Sequence, residues 1–441
     1  MKELPGGRYG AGAKLLHPHK IFMWASILFL TLFILSPFRA VREYSTASLF
    51  FFIINVSALY FPIGFYRVLY RVDTPMHYHY ASEFWERKRN RIVLLLRTLM
   101  LMSALGLGLR LIDKFVFRGF QLSMNMTEAY ELVSNSEGSV LGTISAFLYP
   151  LAISSLVLAH YIRSHDRKAI GFMERALILI FFFAPGIEAA SFGKRGILLI
   201  LVATYFLVDL WFSFSKEKAS LTLLKWAILG GGALLLMVIL LNLRLEEASA
   251  DSMSMLLVGR VVDLIEVQPW VWQWLSGMPA KIENFVAGIF GLWAYMVHGI
   301  YEFFYLYDHF NEANAQSGGY TFWIISKFAS VVGYTSTFMG PEAVETLLPR
   351  SYVYTTLFGP LYIDFVVGAA IFSFMLGALV CYFHRIACRN MLFVPLYIQF
   401  ICVIAFYPIV NMLTMFQGLY NIVAALVFIV IGNIFLRITM R

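Results

Sequence analysis

His298 and Glu302 have the residue types and spacing for proton transfer. Four residues apart, they share one face of a helix, and an imidazole beside a carboxylate can act as a base with its orienting partner. The same pair equally suits the polar stripe of a surface helix. Asp308, His309 and Glu312 lie close by in the chain. No third ligand stands at a suitable spacing, and the pattern is not His-Glu-x-x-His. Neither a metal nor a cofactor is therefore expected.

Cations form the second group. Ser191-Phe192-Gly193-Lys194-Arg195-Gly196 reads as a tight turn between two apolar runs, with Glu188 one turn earlier. Exposed N–H groups at a helix start favour an anion, and an arginine adds a bidentate fork. Lys194 and Arg195 are thus candidate phosphate ligands, against the alternative that they snorkel to headgroups. Glu188 is expected to pair with one of them. Arg244 and Arg260 flank the start of a long charged interval, and both are candidate anion ligands. The run Pro269-Trp270-Val271-Trp272-Gln273-Trp274 follows. Tryptophans here suit an interfacial belt. Beside cations their faces also suit sugar rings, and Trp272 is the candidate.

The elements that must position these residues are apolar. A mean hydropathy of +0.74 and 14% charged residues exclude an ordinary soluble domain, in which about a quarter of residues are charged. Apolar runs of span length fall near 21–38, 47–70, 92–112, 139–162, 175–191, 196–214, 222–243, 360–383, 391–411 and 418–437. With the N-terminus inside, the cytoplasmic segments hold 21 of the 34 Lys and Arg residues. Glu86-Arg87-Lys88-Arg89-Asn90-Arg91 is the clearest inside marker. The net charge of +8 thus reports insertion orientation, and no nucleic-acid partner is expected. Cys381, Cys388 and Cys402 lack metal-ligand spacing and imply neither disulfides nor redox chemistry. The first apolar run is long and lacks a small-residue cleavage site, so no cleavable signal peptide is expected.

The expected fold is an all-α polytopic integral membrane protein with about ten spans and both termini cytoplasmic. A bundle of seven spans covers 1–243, a large extracytoplasmic loop 244–359, and three further spans 360–441. The segment 284–307 is apolar enough to cross, and with a return crossing in 320–340 it would give twelve spans. An amphipathic or re-entrant helix on the outer surface accommodates His298 and Glu302 more easily. Arg97 is the main charge expected within a span. That scarcity argues against a transporter, as does the absence of paired Gly/Pro-interrupted helices. A Walker loop, a dinucleotide fingerprint and a Gly-x-Ser-x-Gly elbow are also missing from the sequence.

Three stretches resemble the oligosaccharide repeat-unit polymerases, the Wzy-type O-antigen and capsule polymerases. Pro349-Arg350-Ser351-Tyr352-Val353-Tyr354-Thr355-Thr356, continuing through Gly359-Pro360-Leu361-Tyr362-Ile363-Asp364-Phe365-Val366-Val367-Gly368, is similar to their "N-x-Y-T … Y-x-D-F-G-x-x-G" entry into a late helix. The turn from Ser191 to Gly196 resembles their "S-x-R-G" helix start. Ala294-Tyr295 to Tyr320-Thr321-Phe322 resembles the loop in which a Gly precedes "T-F". Ser351 stands where the family has Asn, Val366 stands where it often has Gly, and Phe192-Gly193-Lys194 lengthen the Ser-to-Arg spacing.

The resemblance implies a GT-C-like glycosyltransferase of the bacterial inner membrane. It would use an undecaprenyl-type polyprenyl-diphosphate-linked oligosaccharide as donor and a second lipid-linked repeat unit as acceptor, without a metal. Lys194, Arg195, Arg244 and Arg260 would hold the departing diphosphate, and Arg350 would orient a phosphate or a sugar acid. His298 or Glu302 would take the acceptor proton, with Asp364 behind, and Tyr354 and Trp272 would face sugar. Asp364 and Tyr354 alternatively cap the loop-to-helix junction. Membrane lipids and a chain-length-determining co-polymerase are the further partners implied. Two other functions stay open. An O-antigen ligase would move the same donor onto a lipid A core. A flippase or transporter would line several mid-membrane helices with polar groups.

Overall fold

The computed structural model describes residues 12–69, 82–121, 139–191, 196–213, 224–232, 234–236, 238–239, 264–324, 344–350, 353–414 and 417–437. These residues are almost wholly helical. In chain order the principal helices are α1 (Pro18–Ile34), α2 (Thr46–Leu69), α3 (Ser82–Ile112), α4 (Val140–Leu148), α5 (Leu151–His165), α6 (Phe172–Ser191) and α7 (Gly196–Ser213). They continue with α8 (Leu224–Leu236), then α9 (Pro269–Leu275), α10 (Ala280–His309), α11 (Phe358–Phe365), α12 (Ala369–Ala387), α13 (Val394–Phe406) and α14 (Gly418–Arg437). A two-stranded antiparallel ribbon joins β1 (Phe38–Ala40) to β2 (Ile265–Val267), with Arg39 opposite Glu266.

Five helical segments are long and apolar enough to cross a membrane: Thr46–Leu69, Glu83–Phe117, Val140–His165, Phe358–Ala387 and Gly418–Arg437. Helices dominate because hydrocarbon leaves the backbone no other hydrogen-bond partners.

Side-chain contacts fix the direction in which neighbouring helices run. Asn55 meets Ser373, Leu59 meets Gly377 and Tyr66 meets His384. This constant offset makes α2 and α12 parallel. Ser373, Gly377 and Cys381 form a small-residue stripe at helical spacing, which lets the two backbones approach closely. Arg89–Asp166 and Gly106–Tyr149 make α3 antiparallel to α4 and α5. Arg97–Glu174 and Arg110–Glu188 make α3 parallel to α6. α13 is parallel to α1, through Tyr397 to Leu16 and Tyr407 to Ser26.

Three sequence expectations change. First, the run 139–162 is two helices, broken at Tyr149-Pro150, where proline offers no N–H to continue the ladder. Second, the run 360–383 is not one rod. Phe365 and Phe372 stack with ring centroids 3.6 Å apart, whereas residues seven apart on a continuous helix are separated by about 10 Å. The chain therefore reverses at Val366, whose φ is 49°, and only α12 has span length. Third, Arg97 is not the main charge among the apolar helices. Arg110, Glu188 and Asp209 also sit in them, each in an ion pair. Glu188 pairs with Arg110 and Lys114, and the expected pairing with Lys194 or Arg195 falls on residues outside the described ones.

α10 is a continuous helix, and its partners lie at one end of each neighbour. Trp293 donates to the Leu32 carbonyl at 2.9 Å, Tyr301 meets Phe33, and Phe303 and Tyr307 meet Phe51. The Ser45 N–H donates to Asp308 at 2.9 Å, and Ser45 caps the start of α2 through the Ser48 N–H. Residues 293 and 301, two turns apart, thus touch adjacent residues of α1. This is the contact pattern of a helix crossing over the ends of α1 and α2. That end, with the ribbon and residues 264–324, is called the loop face below.

Candidate functional site

Glu302 is the centre of a polar cluster on the loop face. Its side chain is 1% exposed, with His298 Nε2 2.7 Å from one carboxylate oxygen and Arg350 Nε 3.2 Å from the other. A carboxylate buried among aromatic rings is costly unless it is paired in this way. One helical turn of α10 supplies the His298 contact, and the segment ahead of α11 supplies Arg350. His298 and Arg350 keep 14% and 22% side-chain exposure, so they reach the surface and Glu302 does not.

Tyr354 completes the wall. Its ring meets His298 edge-on at 5.4 Å and lies 4.4 Å from Tyr295. Its hydroxyl donates to the Tyr295 carbonyl at 2.6 Å. Tyr354 therefore fastens residues 353–356 to α10, and the hydroxyl expected to meet sugar is committed to protein. Burial, then the Tyr295 and Glu302 charges, push its phenol well above the ordinary range. Tyr44 approaches from the loop between α1 and α2, packed on Tyr301 and Phe304. Burial and the Glu302 charge raise its phenol too. Arg42 lies 5.6 Å over the Tyr305 ring. Neither Tyr44 nor Arg42 was singled out from sequence. The available signal was the pair of arginines, Arg39 and Arg42, in a short loop expected on the outer side, where positive residues are disfavoured.

Asp364 does not belong to the cluster. It is 2% exposed; its carboxylate accepts the Tyr320 N–H at 2.9 Å and the Thr321 N–H at 2.6 Å, and its carbonyl accepts the Ser317 N–H. Those contacts occupy both carboxylate oxygens and close the turn at Gly318, whose φ of +100° suits glycine. The proposed catalytic reserve is thus a loop clamp. It binds the stretch at Tyr320-Thr321-Phe322 to the stretch at Tyr362-Ile363-Asp364-Phe365.

Trp272 is half-buried on α9, away from this centre. That helix packs on the first half of α10, where Trp274 meets Phe290 edge-on. Phe290 is two turns, about 12 Å along the axis, before His298. Trp270 and Trp274 are the exposed tryptophans of the run. Lys194, Arg195, Arg244 and Arg260 lie outside the described residues. Among the described residues, no group of three or more His, Cys, Asp or Glu is arranged to hold a metal ion.

The structure thus unites His298, Glu302, Arg350 and Tyr354 and separates Asp364 and Trp272 from them. Fold and composition together define an all-α membrane protein. Comparison with protein-family models, curated proteins and solved structures finds no match to this chain.

Proposed function

We propose that this protein joins polyprenyl-diphosphate-linked oligosaccharide repeat units into a surface polysaccharide, on the outer face of a bacterial inner membrane. The observation that carries the proposal is the convergence of His298, Glu302 and Arg350, from segments distant in sequence, at one surface of an apolar helical body. Glu302 engages His298 Nε2, which leaves Nδ1 as the atom that takes a proton from the acceptor hydroxyl. The acceptor oxygen then bonds to the donor sugar C1, the C1–O bond to the diphosphate breaks, and polyprenyl diphosphate leaves. Glu302 stabilises the imidazolium so formed and holds the ring in place, and Arg350 brings a guanidinium to a leaving anion.

Two details support the resemblance on which the substrate class rests. Asp364 joins two of the three similar stretches physically, and the backbone at Val366 is left-handed where the family often has glycine. Each of the ten apolar runs contains a helix. We take these as ten spans with both termini cytoplasmic and α10 on the outer surface.

The test is polymerisation by purified protein in nanodiscs, supplied with lipid-diphosphate-linked repeat units from the producing organism. The expected result is a product ladder, slowed roughly 10²–10⁴-fold by His298→Asn and little changed by Trp272→Phe. No ladder from folded wild-type protein given its native repeat unit would overturn the proposal. One observation favours a transporter as the second reading. Asp209, on an apolar helix, binds Lys225 at 3.0 Å and faces His160 at 3.7 Å, as intramembrane carboxylates of transporters do. Transbilayer movement of the same lipid in vesicles, abolished by Asp209→Asn without any ladder, would support that function instead.

A further inference from the structure

We infer that α9 and the first half of α10 lie in the outer leaflet of the bilayer, seated by an apolar stripe on α10 and two tryptophans of α9. Ile282, Phe285, Ile289, Leu292 and Met296 are spaced three and four residues apart, which puts them along one side of the helix. The first three are exposed and the last two half-buried. The same line continues through Gly299, Phe303 and Leu306, and there protein covers it. A Cβ on Gly299 would stand 2.4 Å from the Ile409 carbonyl oxygen, Phe303 stacks on Phe51, and Leu306 is buried. One apolar stripe is therefore sealed by the bundle end over its second half and uncovered over its first. Glu283 and Asn284 lie off the stripe, and His298, two and a half turns after Ile289, lies across the helix from it.

The surroundings select lipid as the occupant. α10 meets α1 at its loop-face end, where Trp293 donates to the Leu32 carbonyl, and the next exposed side chains of α1 are Ile34 and Leu35. Those two end an outward apolar face that includes Trp24, Ile27 and Leu28, the kind of face a membrane helix turns to hydrocarbon. The stripe thus continues the lipid-facing surface around the rim of the bundle. α9 has the same two-sidedness: Val271 and Leu275 are buried, while Trp270 and Trp274, four residues apart, are exposed. The amphipathic ring of tryptophan concentrates at headgroup level. One bilayer covers the stripe, both tryptophans and the adjoining face of α1 at once, and no shape-matched groove is needed. None of this rests on the polymerisation reading, so a failed product ladder does not bear on it.

The test is spin labelling of the full-length protein in phosphatidylcholine nanodiscs, at Ile282→Cys, Ile289→Cys and Ala313→Cys in turn. The native cysteines are buried or half-buried, and unsubstituted protein labelled in parallel is the blank. Collisions with oxygen report lipid, and collisions with a water-soluble nickel chelate report water. Positions 282 and 289 should meet oxygen and exclude nickel, at a common depth of about 5–10 Å into the headgroup boundary. Ala313, exposed beyond the end of α10, should meet nickel. A second measurement needs no label: lipids brominated near the headgroups should quench tryptophan fluorescence less in the Trp270→Phe, Trp274→Phe double variant than in wild type. Nickel access at 282 and 289 would put the stripe in water, and depths about 10 Å apart would make α10 a spanning helix. Exclusion of both probes would show that protein, a second copy of this chain included, covers the stripe. Each of these results would overturn the inference, as would quenching that is unchanged by the loss of both tryptophans.

Discussion

Glu302 and Asp364 are both buried carboxylates on the loop face, and their partners give them opposite roles. Glu302 meets the His298 imidazole and the Arg350 guanidinium, so removing it strands the guanidinium charge. Glu302→Ala should lower stability by about 3–5 kcal/mol, measured by unfolding in mixed micelles. A double-mutant cycle with Arg350→Ala should show strong non-additivity, because the two side chains share one interaction. Additive losses would sink the pairing. Asp364 meets backbone N–H groups instead, and Asp364→Asn should cost about 1–3 kcal/mol. Activity per folded molecule should then fall far less than in His298→Asn. A loss as deep as that of the histidine variant would return Asp364 to the chemistry.

The α11–α12 hairpin and the α2–α12 seam make separate demands on single positions. Val366 turns the chain with φ 49° and ψ −122°, a region that a β-branched residue occupies at a cost of order 1–3 kcal/mol. Val366→Gly should therefore raise Tm, and a lower Tm would show that packing of the valine outweighs its strain. Gly377 lies in the seam, where an added Cβ would stand 2.2 Å from the Leu59 carbonyl oxygen. Gly377→Ala must push the helices apart and should destabilise by about 1–3 kcal/mol. Unchanged thermal stability would contradict this close approach.

At the scale of the molecule, residues 12–17, just ahead of α1, are folded into the end opposite the loop face. His17 is buried there against Tyr66 and His384. Burial first, and then the charges of His19, Lys20 and Arg67, bring its pKa down from 6.5 to about 4, so the folded protein holds it neutral. An unfolded chain takes up the proton near pH 6.5. The contribution of His17 is therefore complete above that pH and is lost as pH falls toward 4, by at most about 1.4 kcal/mol per pH unit. Over that window Tm should fall less steeply in His17→Gln than in wild type. Parallel curves would show that His17 is not the group responsible.

The apolar runs, the orientation bias and the i, i+4 pair at His298 and Glu302 were legible because helical period and membrane thickness act locally along a chain. The sequence also marked Arg350 and Tyr354 as members of a site, through resemblance. It did not separate Glu302, sealed between His298 and Arg350, from His298, which reaches the surface, because burial is decided by what packs on α10. Nor did it show that Asp364 clamps Tyr320 and Thr321, that Tyr44 enters from a loop far earlier in the chain, or that 360–383 folds back at Val366. Those features depend on contacts between distant segments, on backbone N–H groups that any residue can supply, and on one left-handed dihedral. No local pattern encodes them, so only the tertiary structure decided which charged residues form the site and which brace it.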